Sequence, residues 1–351
     1  MAVSVKEVAR EAGVSLGTVS NVLNNPQNVA PENVKKVKDA IQRLGYVRND
    51  AARQLRAGRS RGIGVIVQDI RNPFFAELTR GAEDAATENQ LGILIADSDS
   101  DSERERFILG LFEEQRVLGV LVTPVGNELD ILKEMKNRGN TIVVVDQKSR
   151  DKSISSVSVD DVAGGAMAVT HLIETGRRRI AFAGGPLSDL PIGERLKGAL
   201  KAVKRHDNVS LEVLETDNLT VLEGRRIGEE IIARPAHERP DAVFAANDLL
   251  AIGVMQAIVV SPNLSIPGDL ALIGYDDISF AEMAIVPLSS VRQPSADIGK
   301  HAVKLLIEES DNGPDSHPQQ LVFQPSLVIR ESTTESSPRN SVTTKVGQSV
   351  T

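Results

Sequence analysis

The stretch "VKEVAREAGVSLGTVSNVLN", residues 5–24, contains two short helical patterns separated by Gly13. Ser4 and Glu7 have the spacing of a capping box, in which each side chain accepts a hydrogen bond from the backbone of the other, so a first helix is predicted to begin here. Gly13 supplies the left-handed turn that ends this helix. The spacing from Gly13 to the apolar Val19 is typical of a helix-turn-helix.

The second predicted helix, which Ser15 is placed to cap, presents short or polar side chains opposite its apolar positions Val19 and Leu23. This outward face contains Leu16, Gly17, Ser20 and Asn21. None of these four is a Lys or Glu of the kind that usually solvates a helix, and short side chains suit a DNA major groove. We interpret the face as a DNA-contacting surface. On the first two helices alone, a helical cap or an oligomerisation module fits equally well.

A third helix is predicted between Pro31 and Gly45, because proline suits the first turn of a helix and glycine its end. Its apolar positions repeat with helical spacing: Val34, Val37, Ile41 and Leu44. The three helices together have enough apolar positions for one small core. The sequence therefore predicts an all-α head over residues 1–47.

The segment "YVRNDAARQLRAGRS", residues 46–60, predicts a basic linker. Asn49 and Gly58 are placed as the start and the end of a helix of about two turns, which is marginal when isolated in water. The linker also carries four arginines: Arg48, Arg53, Arg56 and Arg59. We predict that it becomes helical only on DNA, where Leu55 enters the minor groove.

The distribution of charge supports a head that contacts a polyanion. Residues 1–61 contain 11 Lys and Arg against 5 Asp and Glu, a net charge of +6, whereas the remaining 290 residues contain 29 against 43, a net charge of −14. A basic head on an acidic body is expected when only the head binds nucleic acid.

From Gly62 onward, short buried strand patterns alternate with helical patterns. The strand patterns are "GIGVIVQ", "LGILIAD", "LGVLVTP", "TIVVVDQ", "ISSVSVD", "RIAFAGG", "DAVFAAND" and "LALIGYDD". The helical patterns lie near residues 74–89, 103–117, 128–138, 161–175, 193–205, 248–260 and 296–309. This alternation predicts parallel sheets, and the two sets of strands predict two α/β lobes.

Polar residues follow many of these strands, at the edge where open parallel sheets bind ligands. They are Asp69, Thr123, Asp146, Asn247, Asp248, Asp276 and Asp277. Carboxylates and amides at this edge suit a neutral polyol, because they pair with adjacent hydroxyls. Phe74 and Phe75 add aromatic faces that suit the C–H face of a sugar ring. The alternative is ordinary helix packing, which we favour for one of these two rings.

Composition argues against an enzyme and against a membrane or exported protein. There is no Cys, and the five His show neither metal-ligand spacing nor a partner motif. Asp276 and Asp277 are expected on opposite sides of a strand end, which does not suit a catalytic dyad. No apolar run reaches the length of a membrane span or of a signal peptide. We therefore expect a cytoplasmic, non-enzymatic protein without a bound metal or other cofactor.

The sequence resembles the lactose-repressor (LacI-type, LacI/GalR) family of bacterial transcription regulators. The motifs that carry the resemblance are the opening stretch, "VKKVKDAIQRLGYVRNDAARQLRAGRS", "NPFFAEL", "GERLKG", "FAANDLLAIG" and "LALIGYDD". It implies a helix-turn-helix domain at 1–47, a hinge helix or linker at 48–60 and an effector-binding and dimerisation domain at 61–330. This last domain would be a two-lobed periplasmic-binding-protein-like core with parallel sheets.

The resemblance also implies how the lobes are connected. One lobe would comprise about 61–159 and 292–320, the other about 160–291 and 321–330, with crossing strands near residues 160, 291 and 322. Residues 331–351 are half Ser and Thr, and we predict a disordered tail there. They lack the tetramerising leucine repeat of some family members, so a homodimer is expected.

In this family the second helix reads the major groove. Carried over, Leu16, Gly17 and Asn21 would face bases, whereas Ser15, Thr18 and Ser20 would hold phosphates. Leu55 matches the intercalating hinge leucine of the family. The predicted DNA-binding set is completed by Asn24, Arg53 and Arg56.

The body also resembles ribose- and galactose-type binding proteins. The residues that fall on their sugar-contacting positions are Phe74, Phe75, Asp146, Arg195, Asn247, Asp276 and Gln293. Ribose binders commonly have Asn at the position of Thr123 and Arg at that of Gln147, which puts ribose itself in doubt. A hexose, another pentose or a cyclic polyol such as inositol remains open, and a phosphorylated sugar ranks lower because Arg195 is nearly the only cation nearby.

These expectations define one function and one alternative. The chain is predicted to be a sequence-specific DNA-binding regulator, most simply a repressor, that binds a near-palindromic operator as a homodimer under the control of a monosaccharide or cyclic polyol. Both induction and co-repression are compatible with the sequence. The alternative is a transport-type sugar-binding protein without a DNA function.

Overall fold

The computed structural model describes residues 3–47, 60–126 and 130–334. The chain forms two compact units, residues 1–60 and residues 61–351, which are described separately below. The predicted hinge at 48–60 lies almost entirely outside the described residues, and so do its proposed DNA contacts Arg53, Leu55 and Arg56.

The head contains three helices at the predicted places: α1 Val5–Ala12, α2 Leu16–Asn24 and α3 Pro31–Leu44. A short 3-10 turn, Pro26–Asn28, joins α2 to α3. The capping box forms, because the Ser4 amide donates to Glu7 Oε2 at 2.7 Å and the Glu7 amide to Ser4 Oγ at 3.4 Å. Gly13 and Gly45 end α1 and α3 in the left-handed conformation that glycine adopts without strain.

The core of the head is formed by the apolar sides of these helices. Val8, Val19, Val37 and Ala40 are fully buried within it. Because a core this small leaves little margin, the caps and the glycine ends contribute a substantial share of the stability of the head.

The body contains two sheets flanked by helices. Its strands are β1 Gly62–Val67, β2 Gly92–Asp97, β3 Val120–Val122, β4 Ile142–Val145, β5 Ser155–Val159, β6 Arg179–Ala183, β7 Ser210–Leu214, β8 Ala242–Ala245, β9 Ala271–Asp276, β10 Ser289–Arg292, β11 Gln320–Phe323 and β12 Ser326–Val328. Its helices are α4 Pro73–Glu88, α5 Ser102–Glu114, α6 Asp130–Asn137, α7 Asp161–Glu174, α8 Leu190–Val203, α9 Val221–Ala233, α10 Asp248–Val259, α11 Ser279–Met283 and α12 Ser295–Asn312, with 3-10 turns at Ala236–Glu238 and Gly313–Asp315.

Each sheet has six strands. The first has the order β11-β5-β4-β3-β1-β2 and is parallel throughout; the second has the order β12-β10-β9-β8-β6-β7 and is parallel except for β12. The predicted fold class, a helical head and a two-lobed body with parallel sheets, is confirmed. Each lobe has its sheet between helices, as the βαβ alternation requires.

The chain passes between the lobes three times. It leaves the first sheet after β5, leaves the second after β10, and passes from β11 in the first sheet to β12 in the second. The last crossing lies at residues 324–325, after the boundary at 320–321 that was predicted, because Gln320–Phe323 pair in parallel with β5.

The tail begins later than predicted. Residues 331–334 are ordered against the second lobe rather than part of a disordered segment: the Leu272 amide donates to the Ser332 carbonyl at 2.8 Å, and His171 Nε2 lies 2.8 Å from Thr333 Oγ1. Ser332 and Thr333 are both buried. Their hydroxyls satisfy buried polar groups, which explains why a segment rich in Ser and Thr packs here. Residues 335–351 lie outside the described residues.

Strand β7 and helix α9 are among the elements of the second lobe that were not predicted from the sequence. Strand β7 is an edge strand in which three of the five residues are exposed, so its hydrophobic pattern is weak. Helix α9 contains Gly224 and Gly228, which lower helix propensity. The structure explains both glycines: a Cβ on Gly224 would lie 2.0 Å from the Leu250 carbonyl oxygen, and one on Gly228 2.6 Å from Ala257 Cβ, so glycine allows α9 and α10 to approach closely.

Candidate functional site

Three of the four residues on the predicted outward face of α2 are exposed, and the fourth, Ser20, is half-buried. Leu16 is 47% exposed, and Gly17 and Asn21 are exposed beside it, whereas Val19 and Val22 of the same helix are buried in the head core. The exposure places Leu16 at the surface of the head; a single exposed leucine is common on proteins and by itself assigns no role.

Polar side chains on α2 are held in place by local hydrogen bonds. Ser15 Oγ accepts from the Thr18 amide at 3.1 Å and lies 2.9 Å from Thr18 Oγ1. Asn24 Nδ2 donates to the Ser20 carbonyl at 2.8 Å and contacts Ser20 Oγ at 3.3 Å. These bonds fix the orientation of the residues predicted to hold phosphates and bring Asn24 to the same side.

The first turn of α2 is suited to an anion and to close approach. It contains no acidic residue, so no carboxylate competes for the positive end of the helix dipole. A Cβ on Gly17 would have only Ser15 Oγ nearby, at 3.6 Å, so the space above this residue is open. At Gly17 the backbone of α2 is therefore accessible from outside, with no side chain of its own to cover it.

The body contains a cavity of about 270 Å³ between its two lobes. All seven residues predicted to contact an effector line this one cavity: Phe74, Phe75, Asp146, Arg195, Asn247, Asp276 and Gln293. The first lobe supplies the two rings at the start of α4 and Asp146 after β4. The second supplies Arg195 from α8, Asn247 before α10 and Asp276 at the end of β9.

Phe74 and Phe75 contribute both to the cavity wall and to the lobe core. Their ring centroids are 5.1 Å apart in an edge-to-face arrangement, and both side chains are buried in the core of the first lobe. This packing positions the rings rigidly. The two interpretations of these residues, sugar contact and helix packing, are therefore compatible in the structure.

Arg195 is buried and fixed by the second lobe. Its Nε donates to Asp161 Oδ1 at 2.8 Å, its Nη1 donates to the Ala246 carbonyl at 2.7 Å, and its guanidinium carbon lies 3.8 Å from the centre of the Tyr275 ring. A guanidinium held by a carboxylate, a carbonyl and an aromatic face is pre-organised, so little conformational entropy is lost when it contacts a ligand.

Two strand-end aspartates at the cavity have a backbone conformation that is uncommon for non-glycine residues. Asp146 has a φ of 68° and Asp276 a φ of 101°. Such conformations cost free energy, typically about 1–3 kcal/mol each, and are concentrated at functional sites. Here they direct two carboxylates into the space between the lobes.

The same two carboxyl groups have raised pKa values. Burial raises the pKa of Asp146 to about 7 against the opposing charge of Arg195, with Asp161 and Asp276 adding to the rise. Burial likewise raises the pKa of Asp276 to about 6, although Arg195 and the hydrogen bonds from Gln293 and Asn72 oppose the rise. Perturbed carboxyl groups in a cleft are typical of binding sites.

Some of the buried acceptors at the cavity lack partners. Gln293 Nε2 donates to Asp276 Oδ1 at 2.8 Å. Gln293 Oε1 and Asp146 Oδ1, however, are buried without a hydrogen-bond partner among the described residues. Because an unsatisfied buried acceptor is costly, each of these atoms has the capacity for a further hydrogen-bond donor.

The other polar residues at or next to the strand ends differ in their contacts and in whether they line the cavity. Asp69 lines the cavity and accepts from Arg71 Nε at 2.7 Å. Asp248 accepts from the Ile278 amide and from Ser290 Oγ, and Asp277 pairs with Arg292 and Arg330. Asp276 and Asp277 thus differ in environment, as expected. The structure does not bring Thr123 to the cavity lining, and Gln147 donates to the Pro124 carbonyl at 3.4 Å.

The cavity contains residues that the sequence analysis did not assign. Asn72 lines it and caps α4, accepting from the Phe74 amide at 3.0 Å. It belongs to the quoted "NPFF" motif, so its position next to Phe74 was an available signal. Gln68, Asp189, Leu219 and Thr220 also line the cavity. The last three come from loops, which carry no periodic pattern.

No cluster of His, Asp and Glu is arranged to hold a metal ion within 3–47, 60–126 and 130–334. Within the same ranges no helix is both long enough and apolar enough to cross a membrane.

Two protein-family models match the chain. Residues 4–49 match the model for bacterial regulatory proteins of the lacI family, and residues 169–333 match that for a periplasmic binding protein-like domain. The first match covers the head and its exposed α2 face. The second covers most of the second lobe and α12.

Individual relatives match nearly the whole chain. The HTH-type transcriptional regulator RegA of Clostridium saccharobutylicum is 32% identical over 95% of this chain and 100% of its own. The structure of the transcriptional regulator CelR with cellobiose is 30% identical, with a TM-score of 0.70 over 94% of this chain and 99% of that one. The lac repressor dimer bound to operator and the anti-inducer ONPF is 27% identical, with a TM-score of 0.83 over 95% and 99%.

The matches discriminate between the two functions predicted from the sequence. A transport-type sugar-binding protein without a DNA function does not account for the match of the head to the lacI model or for the similarity to RegA over the full length. The chain therefore belongs to the lacI family of bacterial regulatory proteins and is a transcriptional regulator.

Proposed function

We propose that this regulator binds a near-palindromic DNA operator as a homodimer and that a small neutral sugar or polyol in the cavity between its lobes controls the affinity. Two relatives support the classes of partner: the lac repressor structure contains a dimer on operator DNA, and the CelR structure contains cellobiose.

The observation that carries the effector proposal is the pair of unpartnered buried acceptors, Asp146 Oδ1 and Gln293 Oε1. Hydroxyl groups of a polyol would donate to both, and Asp276 would accept a further hydroxyl beside Gln293. The rings of Phe74 and Phe75 would pack against the C–H face of the same ligand.

Charge favours a neutral ligand over a phosphorylated one. Six carboxylates line the cavity: Asp69, Asp99, Asp146, Asp189, Asp217 and Asp276. The two lining cations are already paired, because Arg71 contacts Asp69 and Asp99 at 2.7 Å each and Arg195 contacts Asp161. A phosphate would therefore meet several aspartates and no unpaired cation among the residues that line the cavity, at an electrostatic cost.

The exposed face of α2 supports the proposal for DNA. Leu16, Gly17 and Asn21 would lie against base edges in the major groove, with Ser15, Thr18, Ser20 and Asn24 near the phosphates. Leu16 suits the methyl group of thymine, and Asn21 suits adenine. Arg53, Leu55 and Arg56 would contact the minor groove between the two half-sites.

Exposed apolar side chains on both lobes support a second copy as partner. On the first lobe, Phe107 is 65% exposed and lies on the same helix as Leu111. In the same lobe, Leu94 and Ile95 are exposed on the edge strand β2. On the second lobe Phe280, Met283 and Ile285 are exposed. We define these seven residues as the apolar surface of the body; its burial in a homodimer would remove an aggregation-prone edge from water.

Control of DNA affinity would follow from the angle between the lobes. A ligand that contacts both Asp146 and Asp276 favours one lobe angle, and the lobe angle sets the spacing of the two first lobes in a dimer. That spacing would permit or prevent helix formation by residues 49–57 on the operator. Coupling of this kind typically changes affinity by about 5- to 150-fold. Both induction and co-repression remain compatible with the mechanism.

A thermal-shift screen of the full chain tests the effector class. The panel contains D-ribose, D-glucose, D-galactose, myo-inositol, nucleosides and sugar phosphates. A ligand that binds only the folded state raises the melting temperature, so we expect a shift with at least one neutral sugar or polyol. A shift with sugar phosphates alone would contradict the neutral class. An unchanged melting temperature with every compound in the panel would contradict a simple sugar site.

A further inference from the structure

The first turn of helix α5 contains two glutamates in very different environments. The side chain of Glu103 is 85% exposed, whereas Glu105, two residues later, is only 3% exposed. Glu105 does not line the cavity. A carboxyl group removed from water is stable only where hydrogen bonds replace its hydration, so its contacts indicate what it does.

Glu105 contacts the loop that follows β3. Its Oε2 accepts a hydrogen bond from the Val125 amide at 2.8 Å. Val125 lines the cavity between the lobes, on the side of the first lobe. The carboxyl group therefore holds the cavity wall from behind.

The other end of the same peptide group is held from a second direction. The Pro124 carbonyl, which shares its peptide plane with the Val125 amide, accepts from Gln68 Nε2 at 2.8 Å and from Gln147 Nε2 at 3.4 Å. Gln68 itself lines the cavity. One peptide is thus fixed at its N–H by Glu105 and at its C=O by two glutamines, so it cannot rotate without breaking bonds on both sides.

We propose that Glu105 is a positioning residue for the effector site: by holding the Val125 amide, it fixes the Pro124–Val125 peptide that forms part of the cavity wall. The importance of this wall for ligand affinity rests on the proposed function of the cavity. The positioning itself rests only on the contacts described above.

Removal of the carboxyl group has two physical consequences. The Val125 amide loses its acceptor, and the free energy cost of a lost partner favours rotation of the peptide toward solvent. That rotation withdraws the acceptor of Gln68 and moves the Val125 side chain, so the wall loses its shape. Gly126 follows directly with a φ of 64°, so no side chain there prevents the new backbone path.

Amide hydrogen–deuterium exchange of the full-length, ligand-free protein tests the positioning. Three variants are compared with the parent: Glu105→Ala, Glu105→Gln and, as the matched control from the same helical turn, Glu103→Ala. We expect exchange at Val125 to be about tenfold faster in Glu105→Ala. Exchange should be close to that of the parent in Glu105→Gln, whose amide oxygen accepts the same bond, and unchanged in Glu103→Ala.

A second readout joins the positioning to ligand affinity. The Kd of each variant is measured for D-ribose, D-glucose, D-galactose and myo-inositol, and a sugar that binds the parent should bind Glu105→Ala about tenfold more weakly while Glu105→Gln retains most of the affinity. Unchanged exchange at Val125 in Glu105→Ala would overturn the proposal, and so would a loosened loop with unchanged sugar affinity. If no sugar binds the parent, the proposed function is contradicted, whereas the exchange rates still decide the role of Glu105.

Discussion

At the scale of single residues, Asp276 and Asp277 are adjacent in sequence but have separate roles. Asp276 lines the cavity and accepts from Gln293, whereas Asp277 pairs with Arg330 at 2.6 Å and with Arg292 at 2.7 Å. At the end of strand β9, the side chain of Asp276 therefore faces the cavity. The side chain of Asp277 contacts Arg292 at the end of β10 and Arg330 after β12.

Because Asp276 and Asp277 differ in their contacts, a variant of each residue serves as the control for a variant of the other. Asp276→Asn should weaken binding of the cavity sugar by at least about tenfold, since it removes a charged acceptor, and should leave the melting temperature nearly unchanged. Asp277→Asn should lower the stability by about 1–3 kcal/mol and leave sugar affinity nearly unchanged. Calorimetric binding and thermal unfolding of both variants distinguish the roles, and equal sugar affinity in Asp276→Asn and the parent would remove Asp276 from the site.

The pKa of Asp146, raised by burial to about 7, predicts a pH dependence of stability. Between about pH 4 and 7 the folded state holds a proton that the unfolded chain has released, so this group makes the folded state less stable as the pH rises through that window. Relative to Asp146→Asn, the parent protein should therefore lose stability between pH 5 and pH 7.5. Denaturant unfolding of both proteins at each pH measures this difference, and a constant difference would contradict the raised pKa.

At the scale of elements, the sequence predicted the cavity residues at strand ends better than the residues that hold the cavity wall in place. Asp146 and Asp276, predicted because parallel strands end at one edge of a sheet, both line the cavity. Glu105 was not found, because a helical glutamate that holds a backbone amide from behind has no spacing pattern. Helix α9 was missed because its glycines lower helix propensity, and only its close contact with α10 explains them.

Gly17 of α2 provides a test of the DNA-contacting face. Because a side chain here would meet open space, Gly17→Leu should fold with a stability at least equal to that of the parent. The same side chain should block close approach to the major groove and weaken specific operator binding by at least about tenfold, a loss of one or two base contacts. Fluorescence anisotropy with operator and with non-specific DNA measures both affinities. An unchanged operator affinity would show that α2 does not face the groove at this position.

At the scale of the whole molecule, the basic head and the acidic cleft divide the two ligands by charge. The net charge of +6 over residues 1–61 favours binding to DNA, whereas the aspartates that line the cavity disfavour an anionic ligand and suit the hydroxyl donors of the proposed effector. Because the remaining residues have a net charge of −14, the head is the part of the chain whose charge suits DNA.

The proposed homodimer depends on the apolar surface of the body. Met283 is 68% exposed and Phe107 65%, so the double variant Phe107→Asp/Met283→Asp should fold normally and place charges in the interface. We expect a monomer in analytical ultracentrifugation and a loss of operator affinity, because each monomer then binds one half-site alone. A double variant that stays dimeric would show that the interface of the homodimer lies on another surface.

The most direct test of the account is whether the cavity controls the head. Operator affinity is measured by anisotropy, on a DNA fragment that the protein selects from a random library, with and without the sugar identified by thermal shift. For the parent we expect a change of about 5- to 150-fold, and for Asp276→Asn no change at the same sugar concentration together with parental affinity in its absence. A sugar that raises the melting temperature of the parent but leaves its operator affinity unchanged would contradict the central claim.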